Sequence, residues 1–238
     1  MKATCSGCRT ETFYPPVAGF RLADHRCQVC GCEMHSLNQG RTFPAEVLTG
    51  EEVRRLLTTC SRRATTGIRN RALLALLYRG MLRVAEALAV RPKDVDIAGR
   101  CLRVLHGKGD RPRTIGLDLG ALTLIVGWLR VREGRLGHLA ADVPLICTLK
   151  GGPIQSAYVR NWLRRAAKRA GIAKRVHPHG MRHTGACELA SEGVDLRVIS
   201  KQLGHAKFAT TQTYLDHLHP ADVVKAMAAR SWGTPGVQ

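Results

Sequence analysis

Apolar residues change their spacing several times along this chain, and each change marks a new element. Thr49-Gly-Glu-Glu52 has the form of a capping box and precedes Val53, Leu56 and Leu57 at helical spacing, which predicts a helix starting near residue 50. A second helix is expected over residues 68–79, and a third from near Arg83 to just before Arg91-Pro92. The period then shortens to two. Segments 94–97, 101–105 and 113–117 alternate apolar and polar side chains, with Gly99-Arg100 and residues 107–112 as turns, so a small antiparallel sheet is expected. Helical spacing returns over 121–133. Pro144-Leu-Ile-Cys147 reads as a short buried segment, and 156–170 as a strongly basic amphipathic helix ending at Gly171. Four helices are expected from Pro178 onward, the last opening with Pro220 as its first residue. The fold class is mainly α with a small antiparallel β-sheet (α+β).

Residues 1–36 follow neither period. They hold few apolar side chains but five of the nine cysteines, including the pairs Cys5-x-x-Cys8 and Cys27-x-x-Cys30. Two such knuckles can offer four thiolates to one tetrahedral ion, the pattern of a zinc ribbon. Cys32, His25 or His35 could each replace one ligand. A segment this poor in apolar residues would be held together by Zn2+ rather than by a core. The expected organisation is a zinc-ribbon-like module over 1–36, a linker over 37–44 containing Asn38, Gly40 and Pro44, and a larger domain over 45–238. Cys60, Cys101, Cys147 and Cys187 stand singly and are expected to pack as small apolar residues.

Charge narrows the partner. Lys and Arg number 37 against 18 acidic residues, 28 of the 37 are arginines, and the formal net charge is +19. Residues 1–40 contribute Lys2, Arg9, Arg21 and Arg26 against Glu11, Asp24 and Glu33, so the excess lies almost wholly on the larger domain. A ribosomal or membrane-surface protein could also be this basic, but the balance favours nucleic acid, and the larger domain is where a duplex would be gripped through its phosphates. The hydrophobic share of 45% excludes wholesale disorder, no apolar run is long enough to span a bilayer, and the N-terminus has no apolar signal core. A cytoplasmic protein is expected.

The chemistry concentrates near the C-terminus, in His179-Gly-Met-Arg182-His183, Leu203-Gly204-His205 and Tyr214. Upstream, Leu82-Arg83-Val-Ala-Glu86 adds a second arginine, and His106-Gly-Lys108-Gly-Asp-Arg111 a lysine on the expected hairpin. Guanidinium groups hold paired phosphate oxygens, imidazoles move protons near neutral pH, and a phenol can serve as covalent nucleophile. With Arg83, Lys108, His179, Arg182, His205 and Tyr214 in this order and spacing, the chain resembles the tyrosine recombinase (phage integrase) family over about residues 48–229. One difference is local: where the family has Thr-Gly before Leu-Arg, this chain has Gly80-Met81.

The resemblance implies that Tyr214 attacks a DNA phosphodiester, with His179 as base and Lys108 as acid. Arg83 and Arg182 would clamp the scissile phosphate, His205 would donate a hydrogen bond to it, and Glu86 would orient Arg83. It also implies site-specific recombination without a catalytic metal or ATP, by a homotetramer on double-stranded DNA, with the helix after Pro220 docking on a neighbouring subunit. Arg111, Arg113, Arg160 and Arg164 are the expected DNA contacts. In place of the DNA-clamping domain that the family usually carries ahead of the catalytic one, the small cysteine-rich module is expected to stand, touching DNA or an accessory protein. Two other readings stay open: a non-catalytic DNA-binding accessory factor that keeps the fold, and a nicking-closing topoisomerase of the type IB kind.

Overall fold

The computed structural model describes residues 2–13, 22–36, 46–105, 112–137 and 143–204. The chain divides into two compact units, Met1–Pro44 and Ala45–Gln238. In the first, β1 (Lys2–Cys5) lies between β2 (Glu11–Phe13) and β3 (Met34–Ser36), antiparallel to both. Its core is small: Ala3, Cys5, Cys27 and Met34 are buried, with Leu22 and Cys32 packed against them.

The second unit is mainly helical, with one small antiparallel sheet, as the patterning predicts. Helix α1 (Gly50–Thr58) opens on the expected capping box: the Glu52 amide donates to Thr49 Oγ1 at 3.2 Å, and the Thr49 amide donates to Glu52 Oε2 at 2.7 Å. Lys174 then donates to the same Glu52 oxygen at 2.7 Å, tying the start of α1 to the loop before α6 (Pro178–Ser191). Helix α2 (Thr65–Tyr78) is buried on nearly every face and forms the axis of the unit, packing on α4 (Leu119–Leu136) and α6. Its last two turns, Ala72 to Tyr78, are apolar on every face, as a core helix requires. Gly185 allows the close approach of α6, because a Cβ there would lie 2.1 Å from the Tyr78 carbonyl oxygen.

The short helix α3 (Val84–Ala89) leads into the meander β4 (Val95–Asp96), β5 (Cys101–Val104) and β6 (Arg113–Gly116). The register sets Leu102 opposite Ile115, and both turn into the core beside Val104. Trp128 of α4 is fully buried and donates its indole N–H to the Leu145 carbonyl at 2.7 Å, so the expected buried segment 144–147 is anchored there. The basic helix α5 (Ser156–Arg169) buries Val159, Trp162, Leu163, Ala166 and Ala167 along one stripe. The last described helix is α7 (Leu196–Leu203). The helices expected after it lie outside the described residues. Cys60 and Cys147 sit in the core, whereas Cys101 and Cys187 are only partly covered. Among the described residues no helix is long and apolar enough to cross a membrane.

Candidate active site and metal centre

Arg83 is the N-cap of α3, and Glu86, one turn on, folds back to it. Arg83 donates its backbone N–H to Glu86 Oε2 at 2.9 Å and its Nη1 to Oε1 at 2.7 Å. The same carboxylate accepts Arg113 Nη1 at 3.0 Å and Nη2 at 2.8 Å from β6, and Arg182 Nη1 of α6 lies 3.8 Å from its Oε2. Three guanidinium groups therefore converge on one carboxylate that is only 4% exposed. Burial alone would raise the Glu86 pKa, but hydrogen bonds from Arg113 and from the backbone and side chain of Arg83 outweigh it and hold the pKa near about 2. One anion among three cations leaves positive charge over, and a planar guanidinium suits a tetrahedral oxyanion.

Arg182 is 1% exposed and braces the surrounding backbone. Its Nη1 donates to the Met81 carbonyl and its Nη2 to the Leu203 carbonyl, each at 2.6 Å. Met81 takes φ +50°, left-handed for a side chain that is not glycine, in the turn where Gly80-Met81 precedes Leu82-Arg83. Such a backbone costs on the order of 1 kcal/mol. The buried Met81 side chain against Gly185 and the bond from Arg182 hold the turn in that state.

The end of α7 is fixed from two sides. The Gln202 side chain accepts from the Gly116 amide and donates to the Gly116 carbonyl, both at 3.0 Å, which straps α7 to β6. Gly204 then caps α7 at φ +64°, and a Cβ there would fall 2.6 Å from Arg113 Cδ and Nε. Glycine is required at this point for conformation and for space, one residue before His205.

His179 stands on the first turn of α6, after Pro178, and its side chain reaches the surface. Partial burial lowers its pKa, and the charges of Arg182 and Arg83 lower it further. The ring is therefore neutral at physiological pH and able to accept a proton.

The structure thus brings together Arg83, His179 and Arg182. Arg160 and Arg164 are exposed on the solvent face of α5. Arg113, expected as a DNA contact, is instead turned inward onto Glu86 with its side chain 12% exposed. Its role was hidden because Glu86 is 27 positions away, yet alternation held a signal: Arg113 shares the inward face of β6 with Ile115. The roles of Gln202 and of the Met81 and Leu203 carbonyls are set by tertiary packing and have no sequence signature. Lys108, Arg111, His205 and Tyr214 lie outside the described residues.

In the first unit, the sulfurs of Cys5, Cys8, Cys27 and Cys30 all lie within 4.8 Å of one another, with Cys5 to Cys30 at 3.2 Å and Cys8 to Cys27 at 3.5 Å. Tetrahedral thiolate coordination at about 2.3 Å separates sulfurs by roughly 3.8 Å, so this donor set fits a metal ion. The Thr10 side chain and backbone hydrogen-bond to Cys8 and lower its thiol to about 6, whereas at Cys27 the backbone hydrogen bonds from Cys30 and Val29 are outweighed by burial and by Cys8 and Cys5, which raise that thiol to about 11. A metal would have to displace the protons the cluster retains. Cys32, His25 and His35 stand outside this four-sulfur group.

The model of the phage integrase family matches residues 46–220. Tyrosine recombinase XerC of Chromohalobacter salexigens is 35% identical over 175 residues, covering 72% of this chain and 57% of the relative. Tyrosine recombinase XerD of Bifidobacterium longum is 32% identical over 195 residues, covering 79% of this chain and 63% of the relative. The chain therefore spans less than two thirds of the length of either. Among solved structures, the XerA recombinase superposes with a TM-score of 0.69 at 26% identity, over 83% of this chain and 70% of that one. XerH site-specific recombinase, in its post-cleavage complex with palindromic difH substrate, gives a TM-score of 0.62 at 26% identity, over 78% and 53%.

Proposed function

Since the chain belongs to the phage integrase (tyrosine recombinase) family, we propose that it cuts and rejoins duplex DNA at specific sites through a 3′-phosphotyrosyl intermediate. The observation that carries this reading is the convergence of Arg83, Arg113 and Arg182 on the single carboxylate of Glu86, on the unit that holds His179. The arrangement leaves net positive charge, pre-oriented and largely shielded from water, where a phosphate's charge would grow in the transition state.

The Tyr214 oxygen attacks phosphorus as His179 takes the phenol proton. The bond from phosphorus to the 5′-oxygen breaks, and Lys108 protonates the departing oxygen. Arg83 and Arg182 hold the non-bridging oxygens while His205 donates a further hydrogen bond. A 5′-hydroxyl from the partner strand then attacks the phosphotyrosine and restores the phenol. The phosphoester bond is conserved throughout, so the step balances without an external energy source. Arg113 does not face DNA in this scheme. It holds Glu86, and with it the clamp. Arg111, and Arg160 and Arg164 on α5, contact the duplex backbone.

Cys5, Cys8, Cys27 and Cys30 bind one structural Zn2+, and the module they form touches DNA or an accessory protein. The active form is a homotetramer on cytoplasmic DNA. Incubation with a nicked suicide duplex carrying the target site tests the chemistry. Wild-type protein should accumulate a covalent adduct, and Tyr214→Phe should bind the same duplex and make none. Adduct formation by Tyr214→Phe would overturn the assignment. Wild-type protein that binds without adduct would indicate an accessory factor, and relaxation of supercoiled plasmid without recombinants a topoisomerase.

A further inference from the structure

His177 precedes the helix that carries His179 and Arg182, and its ring lies beside Gly180 on that helix's first turn. Its Nδ1 accepts the Gly180 backbone N–H at 3.2 Å, so His177 is the N-cap of α6. A Cβ on Gly180 would come within 3.3 Å of His177 Nε2 and 3.5 Å of Cδ2, so the glycine is what leaves room for the ring. The His177 and His179 rings stack, with centroids 6.3 Å apart and planes 20° apart. The cap therefore secures the turn on which His179 stands and packs beside His179 itself.

Histidine is an unusual cap, because Nδ1 can accept only while it carries no proton. Protonation would abolish the acceptor and set a positive charge against the positive end of the α6 dipole. We propose that His177 is a positioning residue for strand cleavage: its unprotonated ring holds the first turn of α6, and so His179 and Arg182, in working geometry, and its protonation releases that turn. This rests on the recombinase reading above. The groups facing the ring are Arg175 and His179, both cationic when protonated, and Glu46. Partial burial lowers the His177 pKa, Arg175 and His179 lower it further, and Glu46 opposes them, so the cap is intact at neutral pH and fails only in acid.

The test uses the full chain on the nicked suicide duplex, with adduct rates followed from about pH 5 to about pH 8. Wild type should lose rate in acid with two-proton steepness, one proton on His179 and one on His177. His177→Asn supplies an amide oxygen that caps without titrating. It should keep the neutral rate and show a one-proton acid limb. His177→Ala should be slower by about five- to tenfold even at neutral pH, with DNA binding unchanged. Hydrogen exchange reads the cap without catalysis: protection of the Gly180 amide should fall in acid for wild type, persist in His177→Asn and be low throughout in His177→Ala. An active wild type whose acid limb is matched by His177→Asn, or whose neutral rate is matched by His177→Ala, would overturn the proposal. A wild type that forms no adduct at any pH would refute strand cleavage itself, and the role of His177 in it.

Discussion

In the larger unit Leu73, Leu76, Leu77, Trp128 and Ile146 are fully buried, and the buried Glu86 carboxylate is matched by its arginines. In the N-terminal unit the buried side chains are Ala3, Cys5, Cys27 and Met34, and two of these four belong to the sulfur cluster. One unit is stable because it removes large apolar side chains from water. The other has little to bury, and its four cysteine sulfurs form a donor set that a metal ion would tie together. The N-terminal unit is therefore vulnerable to loss of the proposed ion, and the larger unit to loss of a carboxylate.

The largest expected effect follows from the first vulnerability. Chelation, or Cys27→Ser, should unfold residues 2–36 while the larger unit keeps its own unfolding transition, with amide hydrogen exchange resolving the two. A module that stays protected after metal removal would mean that its small core suffices.

Glu86→Gln should come next, costing the larger unit on the order of 3 kcal/mol in denaturant unfolding, because Arg83, Arg113 and Arg182 lose their shared anion. The sign of the pH dependence is fixed. The folded pKa of Glu86 is depressed to about 2 from an ordinary 4.5, so its contribution is complete above the ordinary value and is lost as pH falls towards the folded one. The gap between wild type and Glu86→Gln should therefore narrow from about pH 4.5 down to about pH 2. A gap constant over that window would remove the carboxylate's charge from the account.

Smallest is Thr49→Ala, which breaks one half of the capping box of α1 and should cost about 1 kcal/mol. Lys174 still bridges Glu52 to the backbone carbonyl of Val47, so the helix start should survive. A loss several times larger would show that α1 depends on its cap more than on its buried Val53 and Leu56.

Much of this is legible in the sequence, for reasons specific to each element. The capping box at Thr49 and Glu52 is local, so four consecutive residues carry it. Alternation located the meander because one face of β5 and β6 is buried. Arg83, His179 and Arg182 stood out by spacing, but Arg113 looked like one more charge beside a basic turn. Its partner lies on α3, and only the tertiary fold brings the Arg113 guanidinium to that carboxylate. Met81 and Leu203 act through carbonyl groups that every residue has, so their identity announces nothing. His177 reads as a neighbour of the active-site motif, and its use as a cap emerges only from the ring's position over Gly180.

The contrast between the units makes one claim above the others: the cysteine module holds the ion and the larger unit does the chemistry. Metal-stripped protein mixed with the nicked suicide duplex at saturating concentration tests it directly. A Tyr214-dependent adduct is expected at close to the rate of the metal-loaded protein, with the loss confined to affinity or assembly at lower DNA. Metal-stripped protein that makes no adduct at saturating DNA, while its larger unit remains folded, would contradict it.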